Sequence, residues 1–290
     1  MKLCRFDEDR LGVVIDGMIH DISDIQDEIR AGARYDMRGD AVIAALPEWR
    51  GRMEEAAAKV PGKPASEVAL LAPVARPSKV MAAPVNYAAH VAEMAAQPHV
   101  TGADQGPKRP SGIQAQGIFL KANSALVGAS EGVAIRFPDR RNDHEVELCV
   151  IIGKQGSHVT RADALNYVAG YTLGLDMTVR GREDRSFRKS CDGYAPLGPW
   201  IATADEIPEP NNVDFTVHLN GEIKQDAHSK DMIFDIPRLI EFATEYYTIY
   251  PGDVLFTGSP PGVSEVKPGD VMRCNCDLIG EMEVKVREAE

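Results

Sequence analysis

Carboxylates stand where apolar side chains belong at two places in this chain. In Asp143-His144-Glu145-Val146-Glu147-Leu148-Cys149-Val150-Ile151-Ile152-Gly153, two glutamates lead into five apolar residues. A β-strand repeats every two residues, so at a rise of ~3.4 Å per residue Glu145 and Glu147 are expected on one face, about 7 Å apart. An isolated Glu-x-Glu reads as a solvent-facing stripe, but the apolar run that follows is that of a strand buried on both faces. Like charges entering such a strand need a cation or a shared proton, because an unpaired buried charge is too costly.

A third carboxylate, Asp176, interrupts Tyr171-Thr172-Leu173-Gly174-Leu175-Asp176-Met177-Thr178-Val179-Arg180. It has two readings: a buried pair with Arg180, or a third ligand beside Glu145 and Glu147. Three oxygen ligands with no thiolate or imidazole suit a hard cation, Mg²⁺ ahead of Mn²⁺ or Ca²⁺, and disfavour zinc. His90 and Glu93 are three apart on an expected helix, so they share a face, and a carboxylate there can orient an imidazole as a general base. The bland reading of the pair is a surface contact. Lys189 precedes the rigid Gly193-Tyr194-Ala195-Pro196-Leu197-Gly198-Pro199-Trp200 and on its own could be a surface charge. Gly128-Ala129-Ser130-Glu131-Gly132 fits the pattern of a nucleophile elbow, but Val133 to Pro138 alternates and ends in proline where an elbow requires a helix. No glycine pattern for ATP or NAD occurs in a strand-turn-helix context.

The elements that must position these residues are mostly strands. Leu11 to Ile15 and Met18 to Ile22, joined by Asp16-Gly17, predict an N-terminal hairpin. Ala41 to Lys59 reads as helix, broken by Pro61-Gly62-Lys63-Pro64, and Val68 to Val74 as a strand. A boundary near residue 75 divides a small N-terminal domain, 1–75, from a larger one, 76–290. Asn86 is expected to cap the helix that carries His90 and Glu93. Residues 97–116 lack apolar periodicity and are expected to be either a cover over a site or a disordered excursion. Strands follow at Ile118 to Leu120, Glu145 to Ile152, Tyr171 to Val179, Phe215 to Leu219 and Val254 to Phe256. Asp235 caps a helix with Ile236, Leu239, Ile240, Ala243, Tyr246 and Tyr247 on its apolar face. Asn220-Gly221 marks a further hairpin, and strands with a turn at Gly280 occupy Val271 to Val286. Strands without regular helical crossovers imply a β-rich α+β fold.

The 290 residues carry 32 Lys+Arg against 44 Asp+Glu, a formal charge of -12, which argues against phosphate backbones and anionic lipid as partners. With 44% hydrophobic and 26% charged residues the composition is globular. Five cysteines, an odd number, fit a reducing cytosol, and Cys274 and Cys276 read as alternate positions of one strand rather than zinc ligands. No apolar run reaches the ~18 residues of a membrane span, and Met1 to Asp7 lacks a signal-peptide core, so a cytoplasmic protein is expected.

These segments, in this order, resemble the fumarylacetoacetate hydrolase family over roughly residues 78–288, with a looser match of 1–75. The landmarks are Asn86-Tyr87 before His90-x-x-Glu93; Glu145-Val146-Glu147-Leu148 ending in Ile152-Gly153-Lys154; Gly170-Tyr171 leading to Asp176 and Arg180; Lys189-Ser190 before Asp192 to Pro199; Pro251-Gly252-Asp253-Val254; and Thr257-Gly258-Ser259-Pro260-Pro261-Gly262-Val263. The resemblance implies a mixed β-sheet roll with a small N-terminal domain, usually a homodimer. It implies that Glu145, Glu147 and Asp176 hold Mg²⁺ or Mn²⁺, that Lys189 lies beside the metal, that His90 and Glu93 form the catalytic dyad, and that Thr257, Gly258 and Ser259 contact substrate. Gly181 and Glu183 stand where the family often has Asp and Gln, and Ser259 where Thr is usual.

The activity expected from that resemblance is Mg²⁺-dependent hydrolysis of a carbon-carbon bond in a small-molecule 2-oxo acid, an acylpyruvate- or fumarylacetoacetate-like intermediate of aromatic catabolism. A decarboxylase or tautomerase on the same metal site is the alternative. A non-catalytic ligand-binding module is the reading from a different class.

Overall fold

The computed structural model describes residues 1–33, 38–96 and 112–289. Asp16 and Gly17, with φ of 49° and 74°, turn the strand Arg10–Ile15 into Met18–Asp21, the hairpin expected of Asp-Gly. Lys2–Phe6 pairs with Arg10–Ile15 on one side and with Ala195–Thr203 on the other, which makes the N-terminal meander one wing of a 12-stranded sheet. From Ala195–Thr203 that sheet continues through Val168–Leu175, Val146–Ile152, Val254–Phe256, Val80–Ala82 and Phe119–Lys121. Val254–Phe256 and Val80–Ala82 run parallel, so the sheet is mixed.

Every residue of Val146–Ile152 is buried, and the two faces of the strand serve two cores. Leu148, Val150 and Ile152 pack with Phe215, Val217 and Met272 of a five-stranded sheet and with Leu239 and Ile240 of the helix Ile236–Tyr246. Cys149 and Ile151 pack with Ile43, Leu46 and Met53 of the helix Ala41–Ala57. Side chains alternate across a strand, so burial on both sides requires the continuous apolar run seen in the sequence.

Several local expectations are met. Asp235 caps Ile236–Tyr246 by accepting from the Arg238 N–H, and Asn220-Gly221 closes the hairpin between Asp214–Leu219 and Glu222–His228. Val271–Cys276 and Gly280–Glu288 pair back on each other, with Cys274 and Cys276 buried on one face. Ser130 accepts from the Leu70 N–H within a short 3₁₀ turn followed by the strand Val133–Ile135, the context that excludes a nucleophile elbow.

Other elements differ. A helix at Ser23–Gly32 buries Ile25 and Ile29 and was not anticipated. Between Val68 and Val74 only Leu70–Leu71 pairs as strand. Tyr246, placed on the apolar face of its helix, is 67% exposed. Asn86 does not cap the following helix: its amide donates to the Phe234 and Thr257 carbonyls and its oxygen accepts from the Phe234 N–H. The 97–116 connection lies outside the described residues as far as 111, and Ile113–Gln116 is a single helical turn.

Candidate metal centre and dyad

Glu145 and Asp176 sit at matching breaks in an antiparallel pair. Val146 pairs with Leu175 at the end of the large sheet, and Asp143 pairs with Thr178 in a small three-stranded sheet. Between them neither Glu145 nor Asp176 belongs to a strand, so the single strand expected from Glu145 to Ile152 is two, Asn142–His144 and Val146–Ile152. Glu147 remains inside the second. Buried carboxylate oxygens of Glu145, Glu147 and Asp176 all lie within 4.8 Å of one another.

Cationic side chains close around this triad. Lys189, the last residue of the short helix Arg185–Lys189, places Nζ 2.7 Å from Glu145 Oε2 and 2.5 Å from Asp176 Oδ2. Lys121, at the end of Phe119–Lys121, is buried against Asp176 and donates to the Tyr194 carbonyl at 3.1 Å. Sequence reasoning missed Lys121, which ends the short strand Phe119–Lys121 with no local mark that separates it from a surface lysine. Arg180 takes Asp143 at 2.7 Å and Glu145 Oε1 at 3.0 Å, so the alternative pairing of Asp176 with Arg180 does not form.

The charges are unevenly balanced. Burial favours the neutral form of Glu145, but Lys189 and Arg180 outweigh it and hold that carboxyl well below its usual range. Burial and then the Asp176 charge push Glu147 well above the carboxylate range, and Lys189 offsets this only in part. Burial lowers Lys121 against the pull of Asp176. An all-oxygen donor set with one glutamate left strongly uncompensated fits a hard divalent cation held by Glu145, Glu147 and Asp176.

His90 is buried on the helix Ala88–Ala96, with Nδ1 3.0 Å from Glu93 Oε2. A carboxylate accepts, so Nδ1 carries a hydrogen, and in the neutral imidazole that tautomer leaves the lone pair on Nε2. The other oxygen of Glu93 accepts from the Gly262 N–H at 3.0 Å. Burial raises the Glu93 carboxyl, but His90 and that backbone N–H hold it below its ordinary value.

The segment from Thr257 to Gly262 joins the dyad to the triad. Gly258 donates its N–H to Glu147 Oε2 at 2.6 Å, and its φ of 103° is one that glycine adopts freely. A Cβ at this position would stand 2.4 Å from Asn86 Cβ. Thr257 donates its hydroxyl hydrogen to the Leu148 carbonyl at 2.7 Å, which leaves only its oxygen lone pairs for a ligand. Ser259 is 3% exposed. Among the described residues no hydrogen bond joins the dyad to the three carboxylates; this loop bonds to both, and His90 also acts on Glu145 electrostatically. Beside it, the Tyr87 hydroxyl is buried without a hydrogen-bond partner among the described residues.

A profile of the fumarylacetoacetate (FAA) hydrolase C-terminal family matches residues 79–287. The maleylpyruvate hydrolase of Aquipseudomonas alcaligenes is 44% identical over 288 residues, 99% of this chain and 99% of its own. A mitochondrial oxaloacetate tautomerase of Rattus norvegicus is 36% identical over 242 residues, 79% of this chain and 73% of its own. The crystal structure of maleylpyruvate hydrolase from Sphingobium sp. SYK-6, in complex with manganese (II) and pyruvate, aligns over 100% of both chains with a TM-score of 0.84 at 37% identity. With the profile spanning the strands of the triad and a relative matched from end to end, the chain belongs to the fumarylacetoacetate hydrolase family.

Proposed function

We propose that the chain is a divalent-metal-dependent hydrolase that cleaves the carbon-carbon bond of an acylpyruvate, with maleylpyruvate as substrate and Mg²⁺ as resident cation. The observation that carries this reading is the gathering of three buried carboxylates within 4.8 Å beside Lys189. A cation held by Glu145, Glu147 and Asp176 would act as a Lewis acid toward the oxygens of a 2-oxo acid. Lys189 brings a fixed positive charge to the same place, where negative charge develops as the bond breaks. His90, held by Glu93 at Nδ1, takes a proton from water at Nε2 while the water oxygen attacks the distal carbonyl carbon. The bond from that carbon to the neighbouring methylene carbon then breaks. The acyl part leaves as a carboxylate, and the electron pair stays with the three-carbon part, which gains a proton to become pyruvate. Thr257, Gly258 and Ser259 meet the substrate.

Full-length similarity to two maleylpyruvate hydrolases, one captured with pyruvate, supports this assignment. The family resemblance supports a homodimer, a division into 1–75 and 76–290, and a place in aromatic catabolism. A formal charge of -12, and the fact that no described helix is long and apolar enough to cross a membrane, are compatible with a cytoplasmic site of action. Tautomerisation of a 2-oxo diacid on the same platform is the second reading, favoured by the 36% identity to an oxaloacetate tautomerase.

Turnover of maleylpyruvate, fumarylpyruvate, simpler acylpyruvates and oxaloacetate, with Mg²⁺ and with excess chelator, tests the assignment. Chelator-sensitive cleavage of an acylpyruvate is expected. Conversion of oxaloacetate alone transfers the assignment to the tautomerase or a decarboxylase, and no turnover on any of them returns it to a binding module.

A further inference from the structure

Gln225 lies on the strand Glu222–His228 of the five-stranded sheet and is fully buried. A one-residue bulge aims it: Val217 pairs with Gln225 and His218 with Ile223, leaving Lys224 without a ladder partner. The amide so directed fills all of its hydrogen-bonding positions. Its Oε1 accepts from the Val146 N–H at 2.9 Å and faces His144 Nδ1 at 3.0 Å. Its Nε2 donates to Ser259 Oγ at 2.9 Å and to the Pro260 carbonyl at 2.8 Å. The Val146 N–H can only donate and the Pro260 carbonyl can only accept, so the partners dictate which end of the amide is which. The same argument puts the hydrogen of His144 on Nδ1 and leaves Nε2 to accept from Ser264 Oγ at 2.7 Å.

The two ends of this amide grip the two parts of the site. Val146 separates Glu145 from Glu147, and Ser259 follows Gly258, whose N–H holds Glu147. The loop also packs onto the bulge itself, since a Cβ at Gly262, where φ is 96°, would stand 1.9 Å from the Lys224 carbonyl oxygen. Ser259 accepts the Gln225 amide hydrogen. It donates its own hydroxyl hydrogen to the Pro260 carbonyl at 3.3 Å, beside the shorter bond from Gln225 to the same oxygen, and a ligand oxygen at the site would draw that hydrogen away from this long contact.

We propose that Gln225 is a positioning residue for substrate recognition, tying the Thr257–Pro260 loop to the carboxylate-bearing strand and presenting the Ser259 hydroxyl to the carboxylate or oxo group of a bound 2-oxo acid. The inference rests on the reading of this loop as a substrate contact.

Calorimetric titration of pyruvate into Mn²⁺-saturated protein tests it with wild type, Gln225→Met, Ser259→Ala and the double variant. Each single substitution is expected to weaken pyruvate about tenfold, a hydrogen-bond-sized loss. The double variant should be no weaker than the weaker single within about twofold, because both changes delete one arm. Gln225→Glu, a second variant in case Gln225→Met does not fold, keeps the acceptor for Val146 and His144 and removes both donors. It should lose pyruvate to a similar degree while Mn²⁺ affinity stays within about twofold. Additive losses in the cycle, or parallel loss of Mn²⁺ and pyruvate in Gln225→Glu, would overturn the positioning role. Wild-type protein that binds Mn²⁺ but not pyruvate would overturn the functional reading, and this inference with it.

Discussion

Asp176 donates its backbone N–H to the carbonyl of Glu145 at 2.8 Å, across the point where both strands leave the large sheet for the small one. Residues opposite each other in an antiparallel pair send their side chains to the same face, so the ladder itself brings these two carboxylates together. Glu147, two residues further along, joins them from inside the buried strand. Lys189 then bridges the facing pair, contacting Glu145 and Asp176 with one ammonium.

Glu147→Gln keeps the shape of the side chain and an acceptor for the Gly258 N–H while removing the charge that burial and Asp176 oppose. Turnover should be lost and Mn²⁺ affinity should fall by about tenfold or more, the scale seen when ligand-supporting groups are removed. Metal-free protein should melt no lower than wild type, because a disfavoured buried charge is gone. Unchanged Mn²⁺ affinity in calorimetry would remove Glu147 from the ligand set.

For Lys189→Ala the two readouts should part. kcat should fall by roughly 10²-fold, as on loss of a donor that stabilises developing charge. Mn²⁺ affinity should hold or tighten, since a positive charge beside the carboxylates has been deleted. An intact kcat would make Lys189 a purely structural partner of Glu145 and Asp176.

His90→Ala should eliminate hydrolysis while the protein still binds Mn²⁺ and pyruvate, because no hydrogen bond joins the dyad to the triad among the described residues. If the same variant still interconverts the keto and enol forms of oxaloacetate, the two chemistries separate at this residue. Hydrolysis at the wild-type rate would exclude His90 as the base.

Gly258→Ala forces a side chain into a left-handed backbone position and against Asn86. Displacing the N–H that holds Glu147 should cost kcat/KM on the order of 10²-fold, the effect of a misplacement near 1 Å in an active site. Steady-state kinetics alongside a melting curve would check this, and near-normal kcat/KM would show that the loop tolerates the shift.

What was legible in the sequence follows from cost. Glu145, Glu147 and Asp176 stand out because a charge inside an apolar run must be compensated, and His90 and Glu93 because three-residue spacing on a helix brings side chains together. The break at Glu145 was not legible: alternation predicts a face, but whether a strand changes sheets depends on partners far along the chain, here Thr178 and Ser264. Lys121 ends a short apolar strand, and nothing local distinguishes it from a surface lysine; its burial comes from Asp176 and Tyr194, distant in sequence. Gln225 looks like any polar residue in an exposed hairpin strand until the bulge turns it inward. The helix Ser23–Gly32 did leave a trace, since Ile22, Ile25 and Ile29 follow helical spacing, but polar residues between them masked it.

Release of pyruvate from maleylpyruvate by the purified protein, followed with a coupled lactate dehydrogenase assay in Mg²⁺ and again after exhaustive chelation, tests the central claim most directly. The geometry predicts pyruvate formed with Mg²⁺, lost with chelator and restored when Mg²⁺ or Mn²⁺ is returned. Pyruvate release that persists without divalent metal, or none with metal supplied, would contradict it.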